Sequence, residues 1–135
     1  MTSWQPGWAE FPPALLEFWT ERHLCTLTTL RADGSPHVVP VGVALDVEQR
    51  CAWVITNGPS HKAHQAAADG RIAACQVDGA RWSTIEGTVE VRSDEESVAR
   101  AVERYAARYR TPRPNPQRVA LRIEVDRFLV SSGLV

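Results

Sequence analysis

Lysine is all but missing from this sequence: of its 15 basic residues 14 are arginine, and Lys62 stands alone. Sixteen acidic residues offset them to a net charge of −1, so the broad basic face needed for general nucleic-acid binding is absent. Cysteine is sparse as well. Cys25, Cys51 and Cys75 are odd in number and far apart, which excludes a disulfide framework and a Cys-x-x-Cys zinc pattern. They read as small buried apolar side chains, and a reducing cytoplasm is the expected location. No run approaches the ~20 apolar residues of a membrane span, and the opening Met1-Thr2-Ser3-Trp4-Gln5 lacks the basic-then-apolar order of a signal peptide. His23, His37, His61 and His64 have no zinc-ligand spacing, so no metal is expected. Without a Gly-x-Ser-x-Gly elbow or a Gly-x-Gly-x-x-Gly fingerprint, neither a hydrolase triad nor a Rossmann nicotinamide site is supported.

What remains is ordinary globular material, 44% hydrophobic and 23% charged over 135 residues. An irregular arm over residues 1–11 carries Trp4, Trp8 and Phe11; residues 12–135 form a single domain. Pro12-Pro13 open a short helix to about Arg22. Leu24–Leu30 is a strand, Asp33-Gly34 a hairpin turn, and Pro36 to about Leu45 a nearly all-apolar partner strand that predicts burial on both faces. Strands also cover Cys51–Thr56, Arg71–Val77 and Ser83–Val91, and Ser60 caps a helix through Ala68. Ser93-x-x-Glu96 reads as a capping box before the stripe Val98, Ala101, Val102, Tyr105 and Tyr109. Arg110–Arg118 is a proline-rich loop, and alternation from Val119 to Asp126 marks a half-exposed strand. The fold class is mainly β: about six chiefly antiparallel strands closing into a small barrel, with two or three flanking helices.

Chemistry concentrates at the start of the second helix. A helix N-terminus offers free N–H groups and partial positive charge, so Ser60 and Lys62, with Thr56 and Asn57 at the end of the preceding strand, suit an anion such as phosphate. An ordinary capped surface helix has the same spacing. The Asp78-Gly79-Ala80-Arg81-Trp82 turn sets a cation beside a large aromatic, either as ligand contacts or as the rim and lid of the barrel. Arg110, Arg113 and Arg118 on their stiff loop suit paired carboxylates, with a solvated connector as the alternative. Tyr105 and Tyr109 read as core rather than ligand contacts.

Several segments together carry a resemblance: Glu21-Arg22-His23-Leu24, the run Leu27–Val39, the Ser60-x-Lys62-Ala63 turn, Val77–Trp82 and Arg108–Pro116. Over about residues 14–131 the chain resembles the split β-barrel flavin and deazaflavin oxidoreductases related to pyridoxamine 5′-phosphate oxidase, with a Greek-key, FMN-binding-like barrel. Within them it is most similar to the small actinobacterial deazaflavin-dependent biliverdin reductases. The resemblance implies a homodimer with sites between subunits, each holding coenzyme F-420 as hydride donor, with FMN as the alternative cofactor. It places the phosphate at Thr56, Asn57, Ser60 and Lys62, the ring along Val38, Val39, Pro40 and Val41, and further coenzyme contacts at Asp78 and Trp82. The acceptor it implies is a tetrapyrrole, with Arg81, Arg110 and Arg113 as candidates for the propionates. An FMN protein of pyridoxamine-oxidase type, or a non-catalytic carrier of deazaflavin or tetrapyrrole, are the competing functions.

Overall fold

The computed structural model describes residues 2–134. Its strands are β1 (Thr2–Trp4), β2 (Cys25–Leu30), β3 (Pro36–Val41), β4 (Ala44–Asp46), β5 (Cys51–Asn57), β6 (Arg71–Asp78), β7 (Arg81–Arg92) and β8 (Arg118–Val130). Its helices are α1 (Pro13–Thr20), α2 (His61–Asp69) and α3 (Glu95–Arg108), with one turn of 3-10 helix at Trp8–Glu10. Every ladder is antiparallel, in the order β3-β2-β6-β7-β8-β5-β4, and β1 adds to β8. The fold is therefore mainly β, as expected, with eight strands rather than six.

β3 and β4 are joined only by Gly42 and Val43 yet occupy opposite ends of that order, so the sheet curls almost fully round and stays open along one seam. β7 and β8 make the curl possible. Their pairing shifts register between Glu86 and Gly87, and a Cβ at Gly87 would sit 2.0 Å from the Glu124 carbonyl oxygen, so only glycine lets the two backbones cross there. The barrel interior holds Leu15, Phe18, Trp19, Leu27, Ile85, Leu121, Ile123 and Phe128, all fully buried. Burial of each such side chain contributes roughly 1.5–3 kcal/mol. α1 supplies three of them and caps one end of the barrel.

Five local expectations are corrected. The apolar run from Pro36 is two strands, because the chain breaks at Gly42 to pass Tyr105 and Tyr109. Within one chain its first half is not covered on both faces: Val38 is 55% exposed, and deep burial begins only at Val43. The Ser93 box does not form. β7 pairs with β8 as far as Arg92, so the N-cap falls on Asp94, whose carboxylate accepts from Ser97 N at 2.9 Å. Arg81 and Trp82 lie in β7 rather than in a loop, since Gly79 and Ala80 alone make the turn after β6. α1 ends at Thr20, short of Arg22, because Glu21 is already extended and its carbonyl accepts from Arg108 Nε at 2.8 Å.

The arm docks on the barrel. Thr2–Trp4 pair with β8, and the rings of Trp4, Trp8 and Phe11 close around Phe128 at centroid distances of 5.5, 6.5 and 5.5 Å.

Asp46 pins α3 to the sheet. Its side chain is 1% exposed, accepts from Arg100 Nε and Nη2 at 2.8 Å each, from Trp53 Nε1 at 2.9 Å and from Gln49 N at 3.0 Å. Burial alone would raise its pKa, but these donors outweigh it and hold the carboxyl at about 2. A folded pKa below the unfolded one means the unfolded chain takes up the proton first as pH falls. The associated stability, about 2 kcal/mol, is complete above roughly pH 5 and is lost as pH drops through 3.8 toward 2. Denaturant unfolding between pH 7 and pH 2.5 should show this loss in the wild type, and Asp46→Asn should be less stable at pH 7 with a flatter acid limb.

Candidate functional site

β5 ends and α2 begins within a four-residue turn, Asn57 to Ser60, that local hydrogen bonds hold. Ser60 takes an extended backbone as N-cap and its Oγ accepts from Ala63 N at 3.2 Å, while lying 3.1 Å from Thr56 Oγ1. Ser60 N donates to the Asn57 carbonyl at 3.0 Å, and Gly58 N donates to the Gln117 carbonyl at 2.8 Å. A Cβ at Gly58 would press on that same carbonyl oxygen at 3.1 Å, so the turn lies tight against the end of the proline-rich loop. Asn57 pairs with Arg118, which brings the first residue of β8 beside the start of α2.

A cleft of about 300 Å³ opens at this junction. Pro40, Val41 and Gly42 line it from the end of β3, and Thr56, Asn57 and Lys62 from the β5–α2 junction. Tyr105 closes the α3 side, and Pro112, Asn115 and Arg118 close the loop side. Lys62 and Arg118 both line it and no carboxylate does, so its field favours an anion. The Gly42 backbone approaches the two tyrosine rings so closely that a Cβ would stand 2.8 Å from Tyr105 and 2.9 Å from Tyr109. The rings stack on each other at 5.0 Å. Tyr109 donates its hydroxyl proton to the His23 carbonyl at 2.6 Å and accepts from Val43 N at 3.1 Å; burial pushes its pKa up to about 12.

The structure thus gathers Pro40, Val41, Thr56, Asn57 and Lys62, with Ser60 shaping the turn beside them. Val39 faces inward on the same strand, and Val38 faces out. Asp78, Arg81 and Trp82 sit together elsewhere, at the β6–β7 turn. Arg81 Nη2 lies 2.6 Å from Asp78 and 3.0 Å from Glu21, with the guanidinium 4.8 Å over Phe18. His23 and Arg81 together hold the Glu21 carboxyl below its usual range. Glu21, His23 and Asp78 present ligand atoms within 4.8 Å of one another, but the cation between the two carboxylates is Arg81. Trp82 is half-buried, its backbone N–H donating to Ser131 Oγ at 3.0 Å.

Arg110 and Arg113 are exposed on the loop and form no ion pair among the described residues. They do not line the cleft; the Arg113 carbonyl instead accepts from Arg118 Nη2 at 2.6 Å. Arg118, expected with Arg110 and Arg113 as a loop cation for carboxylates, is instead the first residue of β8 and lines this cleft beside Lys62. Tyr105, Asn115 and Gly42 were illegible as site residues, because each reaches the cleft through tertiary packing. Cys25 and Cys51 are buried, and burial raises both thiols, Cys51 to about 12, so neither is a nucleophile.

The chain is 52% identical over 120 residues to an F-420-dependent biliverdin reductase of Mycobacterium tuberculosis (strain CDC 1551 / Oshkosh), spanning 89% of this chain and 88% of that one. Its fold matches the crystal structure of the conserved hypothetical protein Rv2991 from Mycobacterium tuberculosis with a TM-score of 0.74 at 24% identity, over 95% of this chain and 89% of that chain. An F-420 reductase structure matches with a TM-score of 0.68, also at 24% identity, over 84% and 94% of the two chains. The profile of the pyridoxamine 5′-phosphate oxidase family matches residues 11–131, nearly the whole barrel. By sequence and by fold, this chain belongs to the pyridoxamine 5′-phosphate oxidase family.

Proposed function

We propose that this protein binds coenzyme F-420 in its reduced form and uses it to reduce biliverdin to bilirubin. The observation that carries the reading is that Lys62 and Arg118 both line a carboxylate-free cleft at the start of α2. Such a cleft fits a phosphorylated coenzyme: two cations, the Thr56 hydroxyl and the free N–H groups of the first helical turn are its donors. The identity to the mycobacterial biliverdin reductase supports the choice of coenzyme and acceptor. When bound, the coenzyme supplies a hydride. The protein's own work is to hold the phosphate at Thr56, Asn57, Ser60 and Lys62, to lay the ring along Val38, Val39, Pro40 and Val41, and to keep water from the reacting face. Tyr109 does not supply the proton that the acceptor also needs, since its hydroxyl is spent on the His23 carbonyl and its pKa is about 12. Solvent is the proton source in this reading.

The test is anaerobic mixing of the purified chain with reduced coenzyme F-420 and biliverdin, followed by deazaflavin absorbance. Oxidation of the coenzyme with formation of bilirubin is expected; copurified flavin in its place, or tight coenzyme binding without turnover, overturns the reading. Lys62→Ala should weaken coenzyme binding by roughly 1.5–3 kcal/mol, the scale of a hydrogen bond to a charged group, with little change in unfolding stability.

A second copy completes the site in this reading. Residues pointing outward from the barrel on β3, β2, β6 and β7 form neighbouring rows: Val38 beside Thr28 and Ala73, Pro40 beside Thr26, Cys75 and Thr84, and Val77 beside Trp82. The first of these rows ends on β7 at Glu86, which pairs with Arg127 at 3.2 Å; the other residues are uncharged, and Val38 and Val77 are 55% and 66% exposed. A face like that is covered in a homodimer, which also places Trp82 and Asp78 toward the neighbouring copy's coenzyme. Light scattering at micromolar concentration should give twice the chain mass of 15.0 kDa, and a value of 15.0 kDa would remove the shared site.

Arg110 and Arg113 are the free cations suited to the biliverdin propionates, with Arg81 available only by loosening Asp78 and Glu21. Arg113→Ala should raise KM for biliverdin while coenzyme affinity stays near wild type, and biliverdin dimethyl ester should be a poor substrate that the mutation hardly affects. Lost coenzyme affinity with an unchanged KM would move this loop to the coenzyme's glutamate tail.

A further inference from the structure

A second cavity, of about 240 Å³, opens between α1, β4 and α3. Arg100, Arg104 and Arg108, spaced one helical turn apart on α3, all line it, across from Leu16, Trp19 and Ala44. Their charges are answered unequally. Arg100 is held bidentate by Asp46 at 2.8 Å and lies 3.5 Å from Glu48. Arg108 spends its donors on the Glu21, Val43 and Phe18 carbonyls and on Gln76 Oε1, with no carboxylate among them. Arg104 has one acceptor, the Leu45 carbonyl 3.3 Å from Nη2, and its Nε is buried without any partner in the protein. A buried donor left unmade is costly, and like charges at this helical spacing repel. The C-terminal end of α3 favours cations but provides no acceptor at Arg104 Nε.

Asp46 and Glu48 on the cavity wall, and Glu103 at 3.6 Å just outside it, all gather on Arg100, so the cation of the wall that no carboxylate meets and that still lacks an acceptor is Arg104. We propose that this cavity is a second ligand site, for a small monocarboxylate with an apolar body, whose carboxylate accepts from Arg104 while the body lies against Leu16 and Trp19. The volume is below that of a drug-sized site, so a single-ring or short branched acid fits and a tetrapyrrole does not. A dianion meets Asp46 and Glu48 on the same walls and is disfavoured. No part of the proposed reduction uses this cavity, and none of the coenzyme-cleft residues named above lines it.

Benzoate is the probe, with benzamide as its neutral isostere and phthalate as a dianion, followed on the full chain by ligand-observed NMR and thermal unfolding. Benzoate should saturate one site per chain and raise Tm. Benzamide and phthalate should bind at least about tenfold more weakly, and Arg104→Met should weaken benzoate by about tenfold or more. Arg104→Lys, which keeps the charge but loses the planar fork, should fall between. Coenzyme F-420 should bind equally well to wild type and Arg104→Met. Should that variant fail to fold, Ala107→Phe, which fills the cavity from its exposed rim, should abolish benzoate binding in a folded chain. The proposal is overturned by benzamide binding as tightly as benzoate, by benzoate binding that survives Arg104→Met or Ala107→Phe, by its displacement with coenzyme, or by no saturable binding at all.

Discussion

One buried guanidinium braces the open seam of the barrel. β3 and β4 have no ladder between them, and the backbone groups at their junction need partners that a sheet would otherwise give. Arg108, at the last turn of α3, reaches across. It donates to Val43 on the seam, to Glu21 and Phe18 at the end of α1, and to Gln76 on β6. Gln76 in turn donates to the Phe18 carbonyl at 2.9 Å. The charge is also shared with the faces of Trp19 and Tyr109, each about 5 Å from the guanidinium carbon. A lysine in that place has neither the fork nor the stacking plane, so the planar group itself is the structural requirement.

The candidate coenzyme cleft is a by-product of that seam. Because α3 is anchored there, Tyr105 and Tyr109 lie against Gly42, and the chain leaves α3 directly above the gap. The proline-rich segment then has to turn back toward β5 to begin β8, and Gly58 and Gln117 fasten it at the start of α2. A wall of β3, the N-terminus of a helix and a basic loop meet only because the barrel fails to close at that point.

The individual elements were largely legible in the sequence, since each has a local cause. Asp33-Gly34 made its hairpin with Asp33 Oδ1 accepting from Ser35 N at 2.9 Å, and Ser60 and Gly70 start and stop α2 as their chemistry requires. What could not be read were the places where packing decides between near-equal local options. Ser93 and Asp94 are both good caps, and the length of β7 chose the second. The apolar run from Pro36 to Leu45 carries no mark of the break at Gly42, because its cause, two rings on α3, lies more than sixty residues away. For the site, the helix start was legible because anion binding there is a local property; Arg118 was legible only as a loop cation and Tyr105 only as core, because their places at the cleft depend on the curl of the sheet. Arg108 stood among many arginines with nothing to show that it alone would be buried.

The scarcity of lysine acquires a practical meaning from where the one lysine sits. Lys62 is half-buried on the wall of the anion cleft and carries the chain's only side-chain amine. Any acyl donor or amine-directed label that reacts with a lysine of this protein reacts at that wall, and it converts a cation into a neutral amide where a phosphate would dock. The chain therefore has a single lysine for acylation, on the wall of the proposed coenzyme cleft, and the protection or modification of Lys62 is a direct report of whether that cleft is filled.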